Sequence, residues 1–198
     1  MVSAKKLVLF MIVGCCFGVV TAQTEPVFEK LSSFSLYDPG AGKNVQLPAG
    51  KNGETFSLFI FLSPECPLSQ NYLPLLNELK ERYSGDVSFY GIIPGRAYSP
   101  ETVSEFVSSY KILFPVLIDS LKSLTNYMTA TVTPEIIFLN NENRLIYKGA
   151  VDDLLTGLGK RRVKATKEYL KDAIVQSLDN KEVTVKRTRA VGCKINDY

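Results

Sequence analysis

Apolar residues along this chain fall into long unbroken runs, helical repeats and short alternations. Residues 56–62 are almost continuously apolar, with aromatic and β-branched members. Such a run predicts a central strand covered on both faces. Leu68, Tyr72, Leu75, Leu76, Leu79 and Tyr83 then recur at three- and four-residue steps, which predicts an amphipathic helix. Pro67 suits its first turn, Pro74 inside it predicts a kink, and Gly85 is placed to end it. A second buried strand is expected over 87–93. Ser99 as N-cap and Pro100 open a helix reaching Tyr110. A third strand over 114–118 and a short helix over 121–128 follow. Pro134 introduces a strand over 135–139, Asn140-Asn141-Glu142-Asn143 turns, and 145–147 pairs back. The last helix is expected over 164–178.

Before the first buried strand, residues 34–37 alternate, Asp38-Pro39-Gly40 turns, and 45–47 can pair back. After the last helix, Val183-Thr184-Val185 has a strand-like pattern. The order β-α-β-α-β-α-β-β-α implies an α/β fold with a central mixed sheet and helices on both faces. The polar stretch 152–166 is long for a connection and is expected to be a functional loop. Its Lys160-Arg161-Arg162 run reads as a solvated face.

The first apolar run changes the picture of where the chain works. MVSAKK is a basic start, LVLFMIVGCCFGVV is apolar for fourteen residues, and Val20-Thr21-Ala22 puts small residues before Gln23. This is the pattern of a cleaved export signal over 1–22. It is short of the ~20 apolar residues a membrane-spanning helix needs. Lipoprotein processing at Cys15 is the alternative, on the run Ile12-Val13-Gly14-Cys15. Cleavage after Ala22 leaves two of the four cysteines, Cys66 and Cys193, in an oxidising compartment. Two cysteines there make one structural bridge, one catalytic pair, or two separate thiols.

The chain has 198 residues, 45% of them apolar, which suffices for one packed domain over about 23–180 with a tail over 181–198. The net charge of +3 is too small to point to nucleic acid, and it falls when Lys5 and Lys6 leave. There is no histidine. That excludes Ser-His-Asp and Cys-His catalysis and histidine-ligated zinc or copper. No metal or organic cofactor is implied.

The remaining candidate chemistry centres on Cys66. It follows a buried strand and begins a helix. A helix N-terminus stabilises a thiolate through its unpaired N–H groups and its dipole. Glu65 opposes this if its carboxylate points inward. A buried structural cysteine is the other reading.

A strand, then Cys66-Pro67-Leu68-Ser69 at a helix start, Pro74, and later Val132-Thr133-Pro134 before a hairpin together resemble the thioredoxin fold over residues 27–180. The spacing of Leu117-Ile118-Asp119, TVTPEIIFLN (131–140), YKGAVDD (147–153) and the tail Ala190-Val191-Gly192-Cys193-Lys194-Ile195 is similar to exported redoxins of the alkyl hydroperoxide reductase/thiol-specific antioxidant superfamily. The resemblance implies a three-layer thioredoxin-like fold with Cys66 as attacking thiol. It implies a cis Pro134 facing that thiol, with Thr133 offering backbone groups to an extended substrate, and with Pro67 and Ser69 beside it.

This sequence also departs from the pattern. Ser69 replaces a second motif cysteine, so no local disulfide forms. Glu65 stands where an aromatic residue is usual and Ile60 where a buried acid is. Of the peroxide-reducing pattern, Ser63 matches the hydroxyl but Phe59 replaces the proline. Cys193, beside the flexible Gly192, is the one distal thiol that can resolve a mixed disulfide or sulfenic acid.

Two functions therefore stand open. One is a thiol–disulfide oxidoreductase acting on a protein disulfide or peroxide, regenerated by a reducing thiol protein. The other is a scaffold module in which Cys66 and Cys193 form a permanent bridge, with the 152–166 loop and the cleft beside Pro134 holding a partner. Neither involves nucleic acid or lasting membrane insertion.

Overall fold

The computed structural model describes residues 25–47 and 56–196. The expected export signal, with Cys15 and Ala22, lies outside the described residues. Among these, no helix is long and apolar enough to cross a membrane.

In chain order the elements are β1 (Ser35–Asp38), β2 (Lys43–Gln46), β3 (Phe56–Phe61), α1 (Pro67–Tyr83), β4 (Val87–Pro94), α2 (Pro100–Ser109), β5 (Val116–Asp119), α3 (Ser123–Tyr127), β6 (Val132–Thr133), β7 (Glu135–Asn140), β8 (Leu145–Gly149), β9 (Leu155–Gly157), β10 (Lys160–Arg161), α4 (Tyr169–Leu178) and β11 (Cys193–Lys194). Seven strands form one sheet in the order β2-β1-β5-β4-β3-β7-β8. The middle trio β5-β4-β3 is parallel, and β7 runs antiparallel to β3. The α/β class and the mixed sheet are as expected.

The unbroken run of β3 divides by its two-residue period. Leu58, Ile60 and Leu62 face one core with α1, α2 and α4, while Phe59 and Phe61 face another under the entry segment and α3. Every one of these five is fully buried. Both faces of the strand are therefore paid in hydrophobic burial, about 1.5–3 kcal/mol for each large side chain. At the end of this strand the chain turns and enters α1, which carries Cys66 to the sheet's edge of the core.

Ser99 caps α2 as expected, its hydroxyl accepting from Thr102 N at 3.2 Å. Pro74 lies inside α1, where the Gln70 carbonyl has no N–H four residues on. Gly85 takes no left-handed conformation, and the helix ends at Tyr83.

Four expectations differ. The helix expected over 121–128 shrinks to α3, because Lys122 is left-handed with φ 53°. The last helix begins at Tyr169, because Asp153 accepts from Thr166 N at 2.6 Å and Lys167 N at 3.0 Å and holds that segment as loop. The 152–166 stretch contains a small hairpin, β9–β10, turning through Gly159 at φ 70°. Residues 183–185 form no strand; Val183 instead packs into the core beside α4.

The Asp153 anchor has a pH signature. Hydrogen bonding from the Thr166 hydroxyl, ahead of the backbone bonds and Arg162, lowers its carboxyl from 3.8 to about 2. A depressed carboxyl gives its stabilisation above its ordinary value and loses it as pH falls through about 2. An NMR titration of Asp153 is expected to give a midpoint near 2. A midpoint at 3.8 would show that the loop anchor does not persist in solution.

Candidate thiol site

Cys66 is the N-cap of α1, with extended φ −82° and ψ 110°. Pro67, exposed, begins the helix proper. The turn that precedes the helix is tied from several sides. Cys66 N donates to Ser63 O at 3.1 Å, and Gln70 Nε2 donates to Pro64 O at 2.6 Å. Ser69 is fully buried, and its hydroxyl accepts from Ser63 N at 3.3 Å. Ser69 thus braces the turn from beneath rather than presenting its hydroxyl at the surface, as a substrate-side residue would. Ser63 Oγ pairs with Tyr98 Oη at 2.9 Å, so the hydroxyl that matches the peroxide-reducing pattern is already engaged. Glu65 is exposed and lies 3.4 Å from the Tyr98 hydroxyl, so its carboxylate does not point inward.

Cys66 and Cys193 are joined by a disulfide, with Cα atoms 6.1 Å apart and a sequence separation of 127. This separation falls within the usual range for such bonds. Cys66 is 2% exposed. Its cover is the tail itself, since β11 pairs antiparallel with β6, Cys193 opposite Thr133 and Lys194 opposite Val132. Ile195 N extends the pairing to Thr131 O at 3.0 Å. The tail is held along much of its length. Thr188 Oγ1 meets Tyr147 Oη at 2.6 Å and Ala150 N at 2.9 Å, and Lys148 pairs with 186–188 through its backbone. Arg187 reaches Glu25 at 2.9 Å.

The Thr133–Pro134 peptide bond is cis, and both residues are buried. The Thr133 carbonyl lies 3.0 Å from Cys66 Sγ. Once the disulfide is reduced, that oxygen is an acceptor for S–H and favours the thiol. The N-terminus of α1 favours the thiolate. The two influences oppose each other at one sulfur atom.

Two residues the sequence reading passed over fix the Thr133 segment. Glu135 is buried, and its carboxylate accepts from Thr131 N at 2.7 Å and Val132 N at 3.4 Å. Lys148 Nζ donates to Met128 O at 3.0 Å and Thr129 O at 2.7 Å, with the Glu135 carboxylate 3.8 Å away. Burial lowers the Lys148 ammonium below its ordinary range. The available signal was one charged residue in each of two otherwise apolar strands, EIIFLN and LIYKG. A cavity of about 130 Å³ opens beside Cys193, lined by Ser63, Arg96, Tyr98, Thr133 and Lys194 among others.

Comparison with known proteins places this geometry. The family model described as Redoxin matches residues 5–165. No curated protein matches the chain. Among solved structures, an uncharacterized conserved protein from Geobacillus kaustophilus is 24% identical with a TM-score of 0.75, covering 83% of this chain and 88% of its own. A hypothetical protein from Sinorhizobium meliloti 1021 is 28% identical with a TM-score of 0.72, covering 82% and 89%. A secreted Mycobacterium tuberculosis disulfide oxidoreductase homologous to E. coli DsbE shares the fold at 22% identity and a TM-score of 0.50, covering 59% and 82%. The thioredoxin-like sheet, the cysteine at the start of α1, the Thr133–Pro134 turn facing it and the span of the family match agree: the chain belongs to the redoxin family.

Proposed function

We propose that the protein is an exported thiol–disulfide oxidoreductase in which Cys66 attacks and Cys193 resolves. The observation that carries this reading is the bond between a helix N-cap cysteine and a tail cysteine laid across Thr133. In the reduced protein the Cys66 thiolate attacks one sulfur of a substrate disulfide. A Cys66–substrate bond forms, and the other substrate sulfur leaves as a thiolate. Cys193, as thiolate, then attacks Cys66 Sγ and expels the second substrate thiol. Two electrons and two protons have passed to the substrate, and the protein holds the Cys66–Cys193 disulfide. A partner protein carrying a dithiol reduces that bond and closes the cycle. The relative potentials set which way the exchange runs.

Ser69 supports this division of labour, since a C-x-x-S turn has no local thiol to resolve an adduct. Export supplies the compartment in which such a bond cycles. Burial of Cys66 at 2% exposure favours the scaffold reading, in which the same bond is permanent.

A redox titration separates the two. Thiols are trapped by alkylation across a series of buffers, and Cys66 and Cys193 are assigned by peptide mass. The expected midpoint lies between about −120 and −270 mV, where known oxidoreductases work. A bond still closed well below about −300 mV would make it a structural staple and overturn the exchange reading.

A further inference from the structure

The tail strand carries a specificity rule for the thiol site, and this inference rests on the exchange reading above. Gly192, Cys193, Lys194 and Ile195 do not merely lie near Cys66. Cys193 and Lys194 form a strand against β6 with one register, Cys193 opposite Thr133, while Ile195 N continues the pairing to Thr131 O and Gly192 abuts the Thr133 backbone. The cysteine bonded to Cys66 is thus carried by an extended segment paired with β6, and a substrate cysteine bonding Cys66 in the same pose takes this place. The oxidised protein is therefore a covalent complex of its attacking thiol with a bound cysteine peptide.

Each position of that peptide meets a different environment. A Cβ added at Gly192 would lie 2.4 Å from Thr133 O and 2.7 Å from Thr133 C. These are backbone atoms, held in place by the Glu135 carboxylate through its bonds to the neighbouring N–H groups. They cannot swing aside as a flexible side chain does. The Lys194 side chain is exposed, so that position is open to any residue. Ile195 packs against the core that holds Phe59 and Phe61, so an apolar side chain is favoured there.

We propose that the polypeptide class acted on at Cys66 is an extended segment of the form Gly-Cys-x-apolar, in which glycine immediately precedes the attacked cysteine. A residue with a Cβ at that point forces the strand off Thr133 and carries its cysteine sulfur away from Cys66. Reaction then needs a looser pose without the β6 pairing.

The test uses the Cys193→Ser protein, reduced, and two end-blocked peptides. One is Ala-Val-Gly-Cys-Lys-Ile and the other has alanine in place of the glycine. Each is activated on its cysteine as a mixed disulfide with 5-thio-2-nitrobenzoate. The Cys66 thiolate attacks the peptide sulfur, the Cys66–peptide bond forms, and the aryl thiolate leaves with the electron pair and absorbs visibly. Adducts are assigned to Cys66 by peptide mass. The glycine peptide is expected to react about tenfold faster. A second protein, Gly192→Val with Cys193→Ser, cannot seat its own tail. There the glycine peptide is expected to react several times faster than with Cys193→Ser alone, with the preference kept.

Equal rates for the two peptides, while the free aryl disulfide reagent still labels Cys66, would overturn the glycine rule and leave the exchange reading standing. An unchanged rate on Gly192→Val would show that the tail does not occupy the peptide's place, and would overturn the rule as well. Failure of every disulfide to label Cys66 would overturn the exchange reading, and the rule with it.

Discussion

Reduction of the Cys66–Cys193 bond is expected to lower the unfolding free energy by about 4–5 kcal/mol. The bond joins residues 127 apart, so in the unfolded chain it closes a loop around most of the domain. Closing a loop of that order costs the denatured ensemble about 4.7 kcal/mol of conformational entropy at 25 °C. The native side changes less. Thr188, the Lys148 backbone pairing and the Arg187–Glu25 pair all lie upstream of Gly192 and do not depend on the bond. Reduction is therefore expected to leave Gly192 to Asn196 exchanging on and off β6, still covering the site most of the time, while the tail through Thr188 stays docked. Denaturant unfolding of the oxidised and the reduced, alkylated protein measures the first effect. The m-value should rise on reduction as the unfolded chain expands. Hydrogen exchange measures the second: the Ile195 amide loses protection and the Thr188 amide keeps it. A stability difference under about 1 kcal/mol would mean the unfolded chain gains little freedom from reduction, against the entropy account.

The sheet and the place of Cys66 were legible because local pattern determines them. The run over 56–62 has one reading as a two-sided strand, and Pro67 after it has one good place, the first turn of a helix. The elements that were misread are those where a distant group overrules the local pattern. The start of α4 is set by Asp153, which removes Thr166 and Lys167 from the helix; nothing within 164–168 announces that. Cys66 sits in a polar loop between Pro64 and Pro67 that does not by itself announce burial. It is buried because a segment 127 residues away covers it. Gly192 was legible only as a flexible residue. Its reason, contact with the Thr133 backbone, exists only once β11 and β6 meet. Glu135 and Lys148 belong to the same class. Their charges in apolar strands were visible, but their partners are backbone groups of a turn that no periodicity describes.

Cys193→Ser is expected to separate attack from resolution. With a disulfide-bonded protein substrate, steady-state turnover should fall about a hundredfold or more, since a tethered, aligned thiol acts at a very high effective concentration and serine cannot displace sulfur. The first chemical step should survive, because Cys66, the Ser63–Ser69 brace and the Glu135–Lys148 brace are untouched. One equivalent of substrate thiol should therefore be released in a burst, and a one-to-one adduct on Cys66 should accumulate. Serine is close in size to cysteine, so loss of turnover with an intact burst is a loss of chemistry and not of fold. Cys66→Ser is the counterpart, with neither burst nor adduct. Intact-mass analysis after acid quench reads both variants. Full turnover by Cys193→Ser would mean that an outside thiol resolves the adduct, and β11 would then be a cover over the site rather than a participant. Adduct formation without turnover places the second half of the reaction on the tail, whose strand takes β6 from the substrate as Cys193 bonds to Cys66.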